Sequence, residues 1–316
     1  MAARATRSAS RSSAAASGGD DSRCLLLALS HDELGVIVDG LADPLQPVVA
    51  VALSSTCKGL RTPVVVKEAR LILMQRHARA VALCRKMQTS CMDIIDAVQL
   101  DWDDLPVELN AADLATLGMI LRTNGLLWLK RLYFDHNDIG DAGVQALCEG
   151  LGRSSAPSLN TLSLTANKIG PAGAEALAGA LCKGALPQLR SLYIDQNPIG
   201  SRGITALAAP LRKLSSIKCL ILGGCDIGDE GVASLVANLG KDDFKALEKL
   251  FLDGNELTDA SCAALARARD APNTTALPRL ATLALRANPA TSEMARKAAW
   301  DALHLKDPYG VTFDLD

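Results

Sequence analysis

The chain has 316 residues, 49% hydrophobic and 22% charged, with a formal net charge of −2. That length and apolar content allow a sizeable packed core, and a charge so near zero leaves no electrostatic footprint for nucleic acid or an acidic membrane surface. The nine cysteines are odd in number and include no C-x-x-C pair, so a disulfide framework or structural zinc site is not expected, and reduced thiols in a cytoplasmic or nuclear protein are the simpler account.

Residues 1–22 form a Ser/Ala-rich tail with Arg4, Arg7 and Arg11 and no acidic residue before Asp20. Over 1–19 this composition fits an organelle transit peptide. It also fits a segment with too little apolar surface to fold, and a disordered tail is the expectation. The apolar runs at 24–29 and 48–53 are far too short to span a bilayer, and "CLLLAL" leads straight into "SHDEL" rather than a cleavage region, so no membrane association is expected.

In residues 27–61, Leu34, Ile37 and Leu41 mark one face of a short helix, "ADPLQP" makes a turn, and a second helix leads into "STCKGLR". The segment resembles an F-box through Leu29, Glu33, Leu34, Ile37, Leu41, Cys57, Lys58 and Arg61, with Ser30 in place of the expected proline and Leu60 in place of the aromatic. The resemblance implies that residues 23–62 dock on a Skp-type adaptor of an SCF ubiquitin ligase, with Leu29, Leu34, Ile37, Leu41 and Cys57 as the docking side chains. The competing reading is a helical cap for the rest of the chain. Residues 63–93 then read as a helical linker with six Lys/Arg and one Glu between 64 and 87. Such a basic amphipathic helix could meet a membrane surface or calmodulin, but a solvated basic face is the expectation.

From residue 94 to 303 the chain repeats itself. Copies open at Leu129, Leu159, Leu189, Ile217, Leu247 and Leu280, after a degenerate unit over 94–121. Each starts L-x-x-L-x-L-x-x-N, an alternation of period two that predicts a short strand. Each continues with leucines at i and i+4, such as Leu147 and Leu151 or Leu177 and Leu181, which predicts a helix. Asp141, Pro171, Ser201, Asp229 and Asp259 precede the helical halves and are residues that cap or begin helices. Gly143, Gly173, Gly203 and Gly231, with Ala146, Ala176, Ala206, Ser234 and Ala264, supply small surfaces for close helix packing. The column Asn137, Asn167, Asn197, Cys225, Asn255 and Asn288 predicts a ladder of amides that satisfies buried backbone groups at the strand exit.

These columns resemble the leucine-rich repeat of the ribonuclease-inhibitor type. The resemblance implies an α/β fold: a right-handed leucine-rich-repeat solenoid, horseshoe-shaped, with a concave parallel sheet and outer helices, preceded by a small helical segment. Strands about 4.8 Å apart beside helices about 10 Å apart force that curvature. Ala295, Ala299, Trp300 and Leu303 are expected to cover the open end, with 304–316 as a terminal tail or cap.

On the concave face the central column reads Tyr133, Ser163, Tyr193, Ile221, Phe251 and Ala284, and the next reads Asp135, Thr165, Asp195, Gly223, Asp253 and Arg286. Aromatic anchors beside an acidic row suit a protein-binding surface, and Tyr133, Tyr193 and Phe251 are expected to contact a partner with basic residues. The four histidines have no metal-ligand spacing, and no hydrolase, zinc-protease or phosphate-loop motif occurs, so catalysis, metal and cofactor are not expected. His136 beside Asp135 is better explained as a turn residue. The functional readings are a ubiquitin-ligase adaptor, a GTPase regulator resembling the Ran GTPase-activating type, and a plain scaffold.

Overall fold

Leucine at one position of seven successive strands sets the frame of the fold. Strands β1 (Gln99–Asp101), β2 (Arg131–Tyr133), β3 (Thr161–Ser163), β4 (Ser191–Tyr193), β5 (Cys219–Ile221), β6 (Lys249–Phe251) and β7 (Thr282–Ala284) form one parallel sheet in chain order. The register aligns Leu100, Leu132, Leu162, Leu192, Leu220, Leu250 and Leu283, all buried. Two residues on, the alternation turns Trp102, Phe134, Leu164, Ile194, Leu222, Leu252 and Leu285 into the same core. Burying each such side chain contributes roughly 1.5–3 kcal/mol.

This is a computed structural model that describes residues 43–45, 64–103, 108–237, 239–240, 243–270 and 277–305. The tail 1–22, the F-box-like Leu29, Leu34, Ile37, Leu41 and Cys57, and residues 306–316 lie outside the described residues. The chain divides into two units, 1–42 with 47–74 and 43–46 with 75–316. In the first, the described part is the opening half of helix α1 (Val64–Lys86).

In the second unit, α2 (Cys91–Ile95) leads into β1, and each strand is followed by a helix: α3 (Ala111–Asn124), α4 (Gly140–Gly150), α5 (Pro171–Cys182), α6 (Gly200–Lys213), α7 (Asp229–Val236), α8 (Asp259–Asp270) and α9 (Glu293–Ala302). The unit is the expected solenoid, its strands on the inner side and helices on the outer. At the second-unit end of α1, Ala80, Leu83, Cys84 and Met87 are buried while Arg79 and Arg85 are exposed. Lys86 pairs with Asp113 of α3 at 2.5 Å. At the far end Ala299, Trp300 and Leu303 are buried, and Trp300 Nε1 donates to the Leu283 carbonyl at 3.1 Å, closing the last repeat. No described helix is long and apolar enough to cross a membrane.

From β2 to β7, each strand ends in a turn whose residue before the Asn column is left-handed. His136, Ala166, Gln196, Gly224, Gly254 and Ala287 have φ between 52° and 64°. The following side chain then points inward. Asn197 Nδ2 donates to the carbonyls of Leu164, Ile194 and Asp195 at 2.8, 2.9 and 3.0 Å, and its Oδ1 accepts from the N–H groups of Asn167 and Ile169 at 2.9 Å each. Asn255 and Asn288 repeat the pattern toward the repeats before them. Cys225 keeps only weak sulfur contacts, with the carbonyls of Ile194 at 3.4 Å and Gly223 at 3.5 Å.

The helix-start column departs from expectation. Asp141, Ser201, Asp229 and Asp259 do begin or enter their helices, but they cap the next helix rather than their own. Asp141 Oδ1 accepts from Gly170 and Gly173 N–H at 2.7 Å each, at the start of α5. Ser201 Oγ accepts from Gly228 N–H at 2.9 Å. Asp229 accepts from Thr258 N–H at 3.0 Å and Ser261 N–H at 3.1 Å, and Asp259 from Ser292 N–H at 2.6 Å. The reason is positional. A side chain inside the first turn lies past its own cap site, and the unpaired N–H groups within its reach belong to the adjacent helix. Pro171, at N1 of α5, begins its helix without this bond.

Candidate functional site

The side chains between the core leucines stand on the inner face of the sheet. Register puts Tyr133, Ser163, Tyr193, Ile221, Phe251 and Ala284 in one row across β2–β7. The row is uneven. Tyr133, Tyr193, Ile221 and Phe251 are half-buried, whereas Ser163 is only 2% exposed, between two tyrosines that are each one strand away. Ser163 stands in the expected row, but it is almost fully covered and its Oγ donates to Asp135.

The row sits in a groove of about 490 Å³. Ten of the expected column residues line it: Tyr133, Asp135, Ser163, Thr165, Tyr193, Asp195, Ile221, Gly223, Phe251 and Asp253. Gln196, Gly224, Gly254 and Ala287 complete the lining. Arg286 is exposed outside that lining, and its backbone N–H donates to Asp253 Oδ1 at 2.6 Å.

The aspartate row is tied into the sheet rather than freely solvated. Asp135 Oδ1 accepts from Ser163 Oγ and from Thr165 N–H at 3.0 Å, and Asp195 Oδ1 accepts from Thr165 Oγ1 at 2.8 Å. Burial pushes the carboxyls of Asp135, Asp195 and Asp253 above the usual range, against the lowering effect of these hydrogen bonds. Burial also raises the Tyr133 and Tyr193 hydroxyls, which stay neutral donors. The groove thus combines aromatic faces with partly desolvated carboxylates, where a cation is attracted more strongly than on an open surface.

Nothing in this geometry assembles a nucleophile. Ser163 donates its hydrogen bond directly to a carboxylate with no imidazole between, and His136 occupies the left-handed turn position. Burial pushes the Cys148 and Cys225 thiols up to about 12, so neither supplies a thiolate at neutral pH. Among the described residues, no His/Cys/Asp/Glu group could hold a metal ion.

Residues 126–148, 155–178, 186–208 and 213–236 match the family described as Leucine Rich repeat. Among solved structures, the chain is similar to the ectodomain of the Arabidopsis receptor kinase HAESA in complex with an N-terminally extended IDA peptide hormone. The identity is 14% and the TM-score 0.31, over 68% of this chain and 40% of that one. It is also similar to an internalin (InlF) from Listeria monocytogenes, at 17% identity and a TM-score of 0.25, over 61% of this chain and 68% of that one. The chain spans about two fifths of the length of the receptor ectodomain. No curated protein matches it.

Proposed function

We propose that this leucine-rich-repeat chain is a non-enzymatic protein-binding adaptor, with repeats of the ribonuclease-inhibitor type, whose concave face holds a partner that presents basic residues. The observation that carries this reading is the half-buried stripe of Tyr133, Tyr193 and Phe251, flanked by Asp135, Asp195 and Asp253 in one groove. Large aromatic surfaces beside carboxylates are the components from which interface anchors are built. Replacing Tyr133, Tyr193 and Phe251 together by alanine should release the proteins that the chain retains from a cell extract. Undiminished retention by the triple variant would end this reading.

The F-box-like sequence of residues 23–62 supports a finer role, in which the segment docks on a Skp-type adaptor and the chain is the substrate-recognition subunit of an SCF ubiquitin ligase. Leu29, Leu34, Ile37, Leu41 and Cys57 would form the docking surface. The test is capture of the full chain by a purified SCF adaptor subunit, compared with capture of a Leu34→Asp/Ile37→Asp variant. Capture that the variant loses supports the ligase role. No capture, or equal capture of both, removes that role and leaves the concave face as the binding site.

A further inference from the structure

The groove has two halves that call for different chemistry. Over β2–β4, Tyr133 and Tyr193 stand two strands apart with the small Ser163 between them, so the groove here is a shallow slot that ends above the covered Ser163 and is lined by the two rings with Asp135, Thr165 and Asp195. The floor of this slot is polar. Ser163 Oγ donates to Asp135, and Thr165 Oγ1 donates to Asp195 Oδ1 at 2.8 Å. Asp101 and Asp103 add negative potential at Tyr133, with Arg131 as the opposing charge nearby. A guanidinium or ammonium seated in the slot would meet two aromatic faces and two carboxylates, which is the environment those groups favour when partly desolvated.

Over β5 and β6 the groove is different. Ile221 and Phe251 present apolar surface, and beside them Gly223, Gly224 and Gly254 leave the backbone bare. This is a shelf on which a bulky apolar side chain can lie. With strands about 4.8 Å apart, the slot over β3 and the middle of the shelf are separated by about 12 Å, or roughly four residues of extended chain at about 3.3 Å each. Residues i and i+4 of an extended segment also face the same side.

We propose that the groove reads an extended segment of a partner protein carrying an Arg or Lys side chain between Tyr133 and Tyr193 and a bulky apolar side chain four residues away, against Ile221 and Phe251. This rests on the concave face being the binding face. The negative slot selects a basic residue, the shelf selects an apolar one, and the sheet spacing sets the distance between them.

The test is selection of displayed random dodecamer peptides on the purified full chain and on three variants, each first shown to unfold cooperatively. Asp135→Asn/Asp195→Asn keeps the Oδ1 acceptors and removes the charge. Ile221→Ala/Phe251→Ala trims the shelf, and Tyr133→Ala/Tyr193→Ala/Phe251→Ala removes the rings. The native chain should enrich peptides with a basic and a bulky apolar residue separated by three positions. The Asn variant should lose the basic preference by roughly tenfold and keep the apolar one, and the shelf variant should do the converse. Peptides that need the rings but no basic residue, or that show another spacing, would overturn the slot and shelf while leaving the concave face as a binding site. Peptides that bind the ring-less variant as well as the native chain would overturn the concave-face reading, and this proposal with it.

Discussion

Repeats are joined at the strand exits by buried amides, and at the α3–α4 seam by the absence of side chains. Asn197 alone makes five hydrogen bonds to backbone groups of its own and the preceding repeat. On the helical side, a Cβ at Gly150 would lie 2.0 Å from the Gly118 carbonyl oxygen, and one at Gly118 would lie 2.6 Å from the Ala146 carbonyl oxygen. The turns are therefore held by directional bonds that only a short amide can supply. The α3–α4 seam is held by contact that only a missing side chain permits. A substitution that is mild on one side is severe on the other.

Four changes probe that contrast, from the largest expected effect to the smallest. Asn197→Ala takes the amide away from the Leu164 and Ile194 carbonyls and the Asn167 and Ile169 N–H groups in a fully buried site, while the Asp195 carbonyl keeps Ala166 N–H, and should cost about 3–5 kcal/mol, above the 1–3 kcal/mol of one unmade bond. The urea midpoint should fall at an unchanged slope, and a loss below about 1 kcal/mol would show that water replaces the amide. Gly150→Ala must push two helix backbones apart and should cost about 1–3 kcal/mol. A loss no larger at Gly150 than at Gly179, where an added Cβ meets nothing within 4 Å, would refute the seam.

Cys225→Asn restores the missing amide and should raise stability by about 1 kcal/mol, or about 2–4 °C in melting temperature for a chain of this size. An unchanged or lower melting point would mean that the turn has adapted to sulfur. The smallest effect is at Asp195, whose carboxyl burial holds above its usual range. A raised folded pKa contributes stability that is full below the unfolded pKa and is lost as pH rises through the folded one. Asp195→Asn should therefore compare best with the native chain at neutral pH, and that advantage should shrink as pH falls toward the unfolded carboxylate range. A stability difference constant with pH would contradict the burial assignment.

The columns that repeat in sequence were legible because identical neighbours demand identical residues. The Leu and Asn columns and the column Gly143, Gly173, Gly203 and Gly231 follow from period and residue type alone, whereas the contact of Gly118 with Gly150 does not. The capping partners were not legible. Asp141 looks like the cap of its own helix, and only the stacking of α4 against α5 brings Gly170 and Gly173 to its carboxylate. Nor could alternation show that Ser163 is buried, because its two neighbours in the row lie on other chain segments. Gln196 and Ala287 line the groove from turn positions outside the strand pattern, where their left-handed backbone swings them toward it. Gly223 stood in the flanking column, but its missing side chain becomes informative only beside Gly224 and Gly254.

The two reaching columns point in opposite directions, and this gives the stack redundancy. Each asparagine reaches back toward the repeat before it, and each Asp or Ser at a helix start reaches forward to the one after. Where Pro171 sends nothing forward, Asn197 still reaches back across the same seam. Where Cys225 has no amide to send back, Ser201 still reaches forward. From the repeat at Leu129 onward every seam keeps at least one of its two fasteners, so a weak repeat is a local fault that its neighbours contain.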